Sequence, residues 1–261
     1  DSVFNTKIRT ARWENTVTAG AHELVAGAEY SEDRVDSTTA YDETSRSNAA
    51  VFTQALLNFS PFMLQGSLRF DDNESYGEEV TGSIGVGYEL DGHHTLRANY
   101  GTAFNAPTYN QLYYPGFGNP DLESETSESV EVGVRGQYAR WFWDAALYQT
   151  DIDNLIAGQG LQFNVPETRI RGAELSTGVE VNEWTLAAAL TYTDPENRLT
   201  GMRLQNRASQ SLRLDVDREL GDWSVGGSWV AQNHRYRDAA NEDRLSGYGL
   251  LNLRTGWQFA P

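Results

Sequence analysis

The sequence predicts an all-β fold, an antiparallel transmembrane β-barrel, and three observations predict it. Polar and apolar residues alternate with period two along most of the chain, and almost nothing keeps a helical period. The alternating runs number about thirteen and are roughly 10 to 16 residues long, where globular strands average about five or six and a tilted strand needs about 9–11 to cross a bilayer. The connections alternate strictly between tight turns and long polar loops, as in barrels whose turns lie at one rim and whose loops lie at the other.

In chain order, the tight turns are AGAH at 19–22, SPF at 60–62, LDGHH at 90–94, YARW at 138–141, VNEW at 181–184 and LGDW at 220–223. The longer polar segments are 33–45, 71–78, 105–124, 152–168, 194–204 and 234–245. Between them Ile84, Val86, Tyr88 and Leu90 oppose Ser83, Gly85, Gly87 and Glu89, and Leu96, Ala98, Tyr100 and Phe104 oppose Arg97 and Asn99. The clearest run places Val130, Val132, Val134 and Tyr138 opposite Ser129, Glu131, Arg135 and Gln137. Ala173, Leu175, Val179 and Val181 then oppose Glu174, Ser176 and Glu180, and Leu212, Leu214 and Val216 oppose Ser211, Arg213, Asp215 and Asp217. At the end Leu251, Leu253, Trp257 and Phe259 oppose Asn252, Arg254 and Gln258. Trp141, Phe142, Trp143, Trp184 and Trp223 sit at or just after tight turns, where an interfacial aromatic girdle would lie. A soluble sandwich has no reason to gather its long loops at one end, and propeller blades use shorter strands.

Composition is compatible with this. The 261 residues include 24 Gly, 7 Trp and 13 Tyr, no Cys, and a formal net charge of −17. No run of about twenty apolar residues exists, which excludes a membrane-spanning helix. The mean hydropathy of −0.56 reads as soluble, but a membrane strand is apolar only at every second position. The acidity argues against nucleic acid as a partner, since phosphates would be repelled. Without cysteine the redox compartment is open. With neither a start Met nor a signal peptide, a mature chain or a fragment is expected to begin at Asp1.

The stretch YGTAFNAPTYNQLYYPGFGNPDLESETSESVEVG at 100–133 contains the longest loop. Pro107 and Pro115 restrict its backbone, while Gly116 and Gly118 permit tight bends. That leaves Tyr109, Tyr113, Tyr114 and Phe117, with Asn119 beside them, as candidate ligand contacts on a stiffened backbone. The alternative is a loop that packs on itself at the rim. Arg97, Glu131, Arg135, Glu174, Arg213, Asp215 and Arg254 lie on the polar faces and are expected to meet a wet lumen or a plug. Acidic clusters at 71–75 and 194–197, and Asp238 with Glu242 and Asp243, offer oxygens to calcium but no EF-hand pattern. His22, His93, His94 and His234 lack zinc spacing, and GTAF and GSIG are followed by no helix, so neither a metal site nor a catalytic residue is assigned.

Three stretches together resemble the TonB-dependent outer-membrane receptors, and they span nearly the whole chain. They are the loop above, YQTDIDNLI (148–156) followed by FNVPETRIRGAELSTGVEV (163–181), and RLQNRASQSLRLDVD (203–217). Ser124-Glu125 stands where the family has Pro-Glu, which loses a rigid turn and keeps the carboxylate. QLYYPGFGNPDL and the short loops look most like the cobalamin-receptor subclass. The resemblance implies a 22-stranded parent barrel around a plug. It implies location in the outer membrane of a Gram-negative bacterium, uptake of a large scarce nutrient, and coupling to TonB. It implies a polar face that anchors the plug, outer-membrane lipid as surroundings, and a receptor rather than an enzyme. Residues 1–261 are then a partial barrel domain without the plug, cut at both ends, with Pro261 falling where roughly two further strands would follow. Such a piece leaves strand edges open to another segment or to edge-to-edge self-association. Calcium is a weaker implication for the parent. A ferric-siderophore receptor of the same family, and a passive porin-like or structural barrel, are the alternative functions.

Overall fold

The computed structural model describes residues 3–41, 43–158 and 161–259, so the chain ends discussed above, Asp1 and Pro261, lie outside the described residues. Thirteen long strands follow one another: β1 (Phe4–Ala19), β2 (His22–Ser37), β3 (Ser45–Phe59), β4 (Phe62–Asn73), β5 (Gly77–Glu89), β6 (His94–Asn105), β7 (Glu125–Gln137), β8 (Trp141–Ala157), β9 (Phe163–Val181), β10 (Trp184–Asn197), β11 (Gln210–Leu220), β12 (Trp223–Gln232) and β15 (Tyr248–Trp257). They form one sheet in sequential order, while β13 (Arg235–Tyr236) and β14 (Arg244–Leu245) make a separate two-stranded ribbon. One short helix, α1 (Tyr109–Tyr113), interrupts the longest loop.

The chain divides into two compact units. The first comprises Asp1–Val86, Asn99–Ser129 and Asp151–Thr168; the second comprises Gly87–Ala98, Val130–Thr150 and Arg169–Pro261. In the first, β1 and β2 pair without a break from Phe4↔Ser37 to Ala19↔His22, and β3 and β4 from Asn48↔Asn73 to Phe59↔Phe62. In the second, β11 and β12 pair from Ser211↔Gln232 to Leu220↔Trp223, and β12 and β15 from Gln232↔Tyr248 to Trp223↔Trp257. Every hairpin is antiparallel with two to four residues at its tight end, which fixes register by turn length.

All six tight turns fall where alternation placed them. Four of the longer segments are shorter than the sequence predicts, while those after β10 and β12, at 198–209 and 233–247, are slightly longer. β2 runs on to Ser37, β4 and β5 leave three residues between them, and β8 and β9 reach 17 and 19 residues through the polar segment 152–168. The reason is physical. Alternation reports which residues meet an apolar medium, whereas strand pairing needs only backbone partners, so the ladder outruns the pattern.

The apolar residues form little interior. Buried apolar side chains among the described residues are few: Tyr109, Leu112, Leu122 and Leu204 on connecting segments, and Val35, Ala50, Ala146, Leu155 and Val165 on strands. Many of the large apolar side chains of the strands stand outward, with Ile84 63 %, Val130 51 % and Leu253 80 % exposed. The accessible surface is 16478 Å², against about 11,000 Å² for a folded water-soluble monomer of this mass. An apolar face so exposed needs lipid.

Aromatics mark the turn end of that face. Trp141, Trp184 and Trp223 are exposed beside their turns; Trp141 stacks on Tyr138 at 4.9 Å, and Trp223 on Trp257 at 5.4 Å. Phe142 corrects the expected girdle. It shares the polar face of β8 with Asp144, and its ring lies on Gly178. A neighbour in sequence alternates faces, so three consecutive aromatics cannot all face lipid. At the ends of the sheet, β1 pairs only with β2 and β15 only with β12 among the described residues.

Substitutions on the two faces of β3 separate lipid contact from strand pairing. Val51, 55 % exposed and opposite Phe70, replaced by arginine is expected to lower stability by about 2–4 kcal/mol. Gln54→Arg, on the polar face beside Ser67, is expected to cost less than about 1 kcal/mol. Urea titration of the full-length receptor folded into phospholipid vesicles checks both; equal costs would place the bilayer elsewhere.

Candidate functional site

The longest connection, 106–124, belongs wholly to the first unit and is ordered by its own sequence. Thr108 caps α1 in extended backbone (φ −74°, ψ 162°): its hydroxyl accepts from Gln111 N, and the Gln111 side chain accepts from Thr108 N at 2.8 Å. These reciprocal bonds satisfy two otherwise orphaned amides and let one turn of helix stand alone. One face of that turn buries Tyr109 and Leu112. The chain then reverses. Gly116 adopts φ +83°, and a Cβ at Gly118 would meet Leu112 O at 2.6 Å, so the loop requires glycine at both positions.

Side chains from neighbouring strands and loops fasten it. Arg46 donates to Pro107 O at 2.9 Å, and Tyr41 donates to Asn110 Oδ1 at 2.8 Å. Asn119 donates to Gln162 O at 3.0 Å, and Asn154 donates to Glu123 Oε2 at 2.7 Å. Glu125 holds both flanks, accepting from Asn105 Nδ2 at 3.0 Å and from Ile156 N at 2.6 Å. The retained carboxylate of Ser124-Glu125 thus has a structural task.

These contacts sort the candidate residues. Tyr109 is buried, only 7 % exposed, with the Arg46 guanidinium 4.8 Å above its ring, so it is no free contact surface. Asn119 is likewise a fastener. Tyr113 is half-buried beside Tyr109. Tyr114 and Phe117 remain exposed, at 42 % and 61 %, with ring centroids 6.1 Å apart. Tyr41 joins them edge-on at 6.3 Å from Tyr114, and Phe4 lies 5.7 Å from Tyr41. Sequence reasoning missed Tyr41 and Phe4; the one available signal was a lone aromatic in the polar segment 33–45. The result is an open row of four rings on a backbone that is already held.

The expected polar-face residues divide too. Arg97 makes a two-pronged pair with Asp144 at 2.8 and 2.9 Å and donates to Glu131 at 3.0 Å; Arg135 reaches the same Asp144 at 3.1 Å. Three predicted residues therefore meet around Asp144, which pattern reading passed over because a single carboxylate in an aromatic-rich run carries no motif. Gly133 makes room for them: a Cβ there would lie 2.6 Å from Arg97 Cζ. Arg213 and Asp215 pair with each other along one strand at 2.6 Å, and Arg254 pairs with Asp217. Glu174 stands exposed, apart from the others. In the first unit Arg69 binds Asp71 and Glu29, and Phe52 lies between the guanidiniums of Arg12 and Arg69 at 4.7 and 5.9 Å.

The acidic clusters are engaged internally. Asp71 is a buried strand residue bonded to Arg69 and Asn48 rather than a loop carboxylate, and Glu74 accepts from Ser47. Asp194 and Glu196 lie within β10. Asp238 accepts from the amides of Glu242 and Asp243. Among the described residues no group of three or more His, Asp or Glu is placed to hold a metal. His94 bridges Asp91 and Tyr138 in its turn, and there the His94 ring and the His93 and His94 amides hold the Asp91 carboxyl down to about 2.

The family model described as TonB dependent receptor-like, beta-barrel matches residues 1–261. The vitamin B12 transporter BtuB of Photobacterium profundum is 32% identical over 269 residues, which cover 98% of this chain and 44% of that protein. That of Vibrio cholerae is 30% identical over 243 residues, covering 89% and 39%. The chain therefore spans less than half the length of these curated relatives. Among solved structures, the ferric enterobactin receptor PfeA of Pseudomonas aeruginosa aligns with a TM-score of 0.84 at 19% identity, covering 98% of this chain and 47% of that one. The copper transporter OprC aligns at 0.81 and 18% identity, covering 99% and 49%. At such identities the two structures speak to the fold alone.

Two substitutions check this geometry. Gly133→Ala is expected to destabilise by about 1–3 kcal/mol through the Arg97 guanidinium. The cost should fall by at least half in an Arg97→Ala background, which a double-mutant cycle measures. Tyr109 carries an unpartnered hydroxyl, and burial, opposed by Arg46, pushes its phenol up to about 12. An unfolded phenol ionises near pH 10, so the stability tied to Tyr109 is complete below that and declines as pH rises toward 12. Tyr109→Phe should remove the latest phenolate step in an ultraviolet titration and leave stability unchanged, or about 1 kcal/mol higher.

Proposed function

Because the chain belongs to the TonB-dependent receptor β-barrel family, we propose that it forms part of an outer-membrane receptor that binds cobalamin at its outer loops. In this reading a plug domain occupies the lumen, and TonB supplies the inner-membrane energy that moves it. The Arg97–Glu131–Arg135–Asp144 cluster and its counterparts around Arg69 and Arg213 would face that plug. The family is one of receptors and transporters, so no residue is given a catalytic role.

The observation that carries the ligand class is the first unit's outer surface. It presents Phe4, Tyr41, Tyr114 and Phe117 as an open aromatic row. The connections there, 38–44, 74–76, 106–124 and 158–162, contain no lysine or arginine, and their described residues include the carboxylates Glu43, Glu74, Asp121 and Glu123. Of the cations on the adjoining strand ends, Arg46 is bound to Asp33 and Pro107 O, and Arg34 to Glu32. Rings beside uncompensated carboxylates suit a near-neutral ligand with a broad flat face, as a corrin has. They oppose a polyanionic ferric catecholate, whose approach would be against the field. The sequence kinship to vitamin B12 transporters supports the same choice.

Equilibrium binding to outer membranes carrying the full-length receptor tests it. Cyanocobalamin is expected to bind saturably and a ferric catecholate not to bind. The Tyr114→Ala, Phe117→Ala double variant should weaken cobalamin binding by about 5- to 100-fold, from about 0.5–1.5 kcal/mol per ring contact. Tyr109→Phe should bind normally. Catecholate binding without cobalamin would move the ligand to siderophores, and binding of neither would leave the receptor fold without this ligand. Repeating the titration in chelator tests the calcium expectation.

A further inference from the structure

The aromatic row of the first unit carries a polar side chain that is oriented but not fully engaged. Asn110 stands exposed on α1, between the buried Tyr109 and the capping Gln111. Its side-chain oxygen Oδ1 accepts from the Tyr41 hydroxyl at 2.8 Å, across 69 positions of sequence. Its backbone oxygen accepts from Tyr114 N at 3.3 Å, so Asn110 and Tyr114 belong to the same turn of chain. The Tyr41 ring in turn meets the Tyr114 ring edge-on at 6.3 Å. Two hydrogen bonds and a ring contact therefore bring Asn110, Tyr41 and Tyr114 together, all within one compact unit.

The other side-chain amides of the loop are turned to backbone. Asn119 accepts from Asp121 N at 3.1 Å and donates to Gln162 O at 3.0 Å. The Gln111 side chain accepts from both the amide and the hydroxyl of Thr108, which folds it back along the chain. Asn110 differs from both. With Oδ1 engaged, its amide presents its Nδ2–H donors outward, and among the described residues no acceptor meets them. Burial, and after it Tyr114, push the Tyr41 phenol up, so its hydroxyl stays protonated and donating. The bond from Tyr41 thereby fixes which end of the Asn110 amide is left free.

We infer that Asn110 is a specificity-determining residue of the aromatic row, donating from Nδ2 to a carboxamide oxygen on the rim of the ligand, and that Tyr41 is the positioning residue that holds it. Rings receive a flat face by contact area, which leaves the ligand free to rotate in its own plane. A placed polar group at the edge fixes that rotation, as the few polar groups of an otherwise apolar site do. The ligand class is a near-neutral macrocycle with carboxamides around its perimeter, as cobalamin has. The connections 38–44 and 106–124, which carry the pair, hold Glu43, Asp121 and Glu123 and no lysine or arginine. A rim carboxylate would be opposed by that field, whereas a neutral amide is not. Orientation of Asn110 before the ligand arrives reduces the entropy lost on binding. The inference deepens the cobalamin reading above and rests on it.

The probes are cyanocobalamin and its monocarboxylic acids, in each of which one rim amide is hydrolysed, titrated onto outer membranes carrying the full-length receptor. N110L is expected to weaken cyanocobalamin binding about three- to tenfold, as loss of one hydrogen bond does. Y41F should weaken it by part of that, and Y41F/N110L no more than N110L alone, since Tyr41 acts through Asn110. For at least one of the acids, the preference for amide over acid should rise in N110D and fall in N110K, leaving the two variants about tenfold apart. A merely distorted loop would weaken amide and acid together and leave that ratio unmoved. Heat-modifiable migration on gels certifies that each variant is folded; if N110K fails to fold, N110D against N110L reads the same ratio. Unchanged affinity in folded N110L, or a ratio that charge at position 110 moves for none of the acids, overturns the inference. Additive losses in Y41F/N110L overturn the role given to Tyr41. A wild type that binds no cyanocobalamin refutes the ligand reading and this inference with it, whereas binding that residue 110 does not influence refutes the inference alone.

Discussion

The constraint beneath the rest of the molecule is that a backbone amide surrounded by hydrocarbon must find its partner within the sheet. An unpaired group there costs several kcal/mol, so only continuous ladders are stable. Sequential hairpins meet this demand most simply, because each strand is delivered to its partner by a turn of a few residues. The unbroken register of β1 with β2, sixteen pairs from Phe4↔Ser37 to Ala19↔His22, is that rule at work. It also explains why strands run on past their apolar stretch. Once pairing is established, polar residues such as Glu32, Asp33 and Arg34 continue it without any apolar reward.

With the backbone satisfied by itself, the two faces of the sheet carry separate chemistries. The apolar face needs no complementary core, and so tolerates Ile84, Val130 and Leu253 standing almost free. The polar face is where side chains must match. There the guanidinium of Arg97 lies across the backbone of Gly133 and is gripped by Asp144 and Glu131. Arg69 with Asp71 and Glu29 repeats the arrangement. Partly exposed ion pairs of this kind contribute modestly to stability. Their value is orientation: they leave a face whose charges are locally compensated.

Alternation made the strands, the tight turns and the identity of the apolar face legible, because lipid on one side imposes period two directly on the sequence. Strand ends were less legible, since polar residues pair as well as apolar ones do. At the candidate site, Tyr114 and Phe117 could be read as exposed rings between proline and glycine. Tyr109 could not be told from them, as all are loop tyrosines; the capping box of Thr108 and Gln111 turns it inward, and only the position of Arg46 on a distant strand shows why. Tyr41 and Asp144 were invisible for the same reason. Their significance comes from partners that sequence spacing does not bring together.

The loop 106–124 joins these themes. A contact surface of rings gains little if the loop must be ordered when a ligand arrives, because each immobilised residue costs conformational entropy. Here the ordering is complete beforehand, through Tyr41 on Asn110, Arg46 on Pro107, Asn119 on Gln162 and Glu125 across both flanks. Those fastenings use a phenol hydroxyl, a guanidinium, amides and a carboxylate, and leave Tyr114 and Phe117 without duties of their own. The same division holds in the segments 198–209 and 233–247, where asparagines secure the backbone and arginines are left over. In both places polar side chains hold the scaffold and leave other large or charged side chains at the surface. The two surfaces differ in chemistry, one of rings among carboxylates and one of guanidiniums.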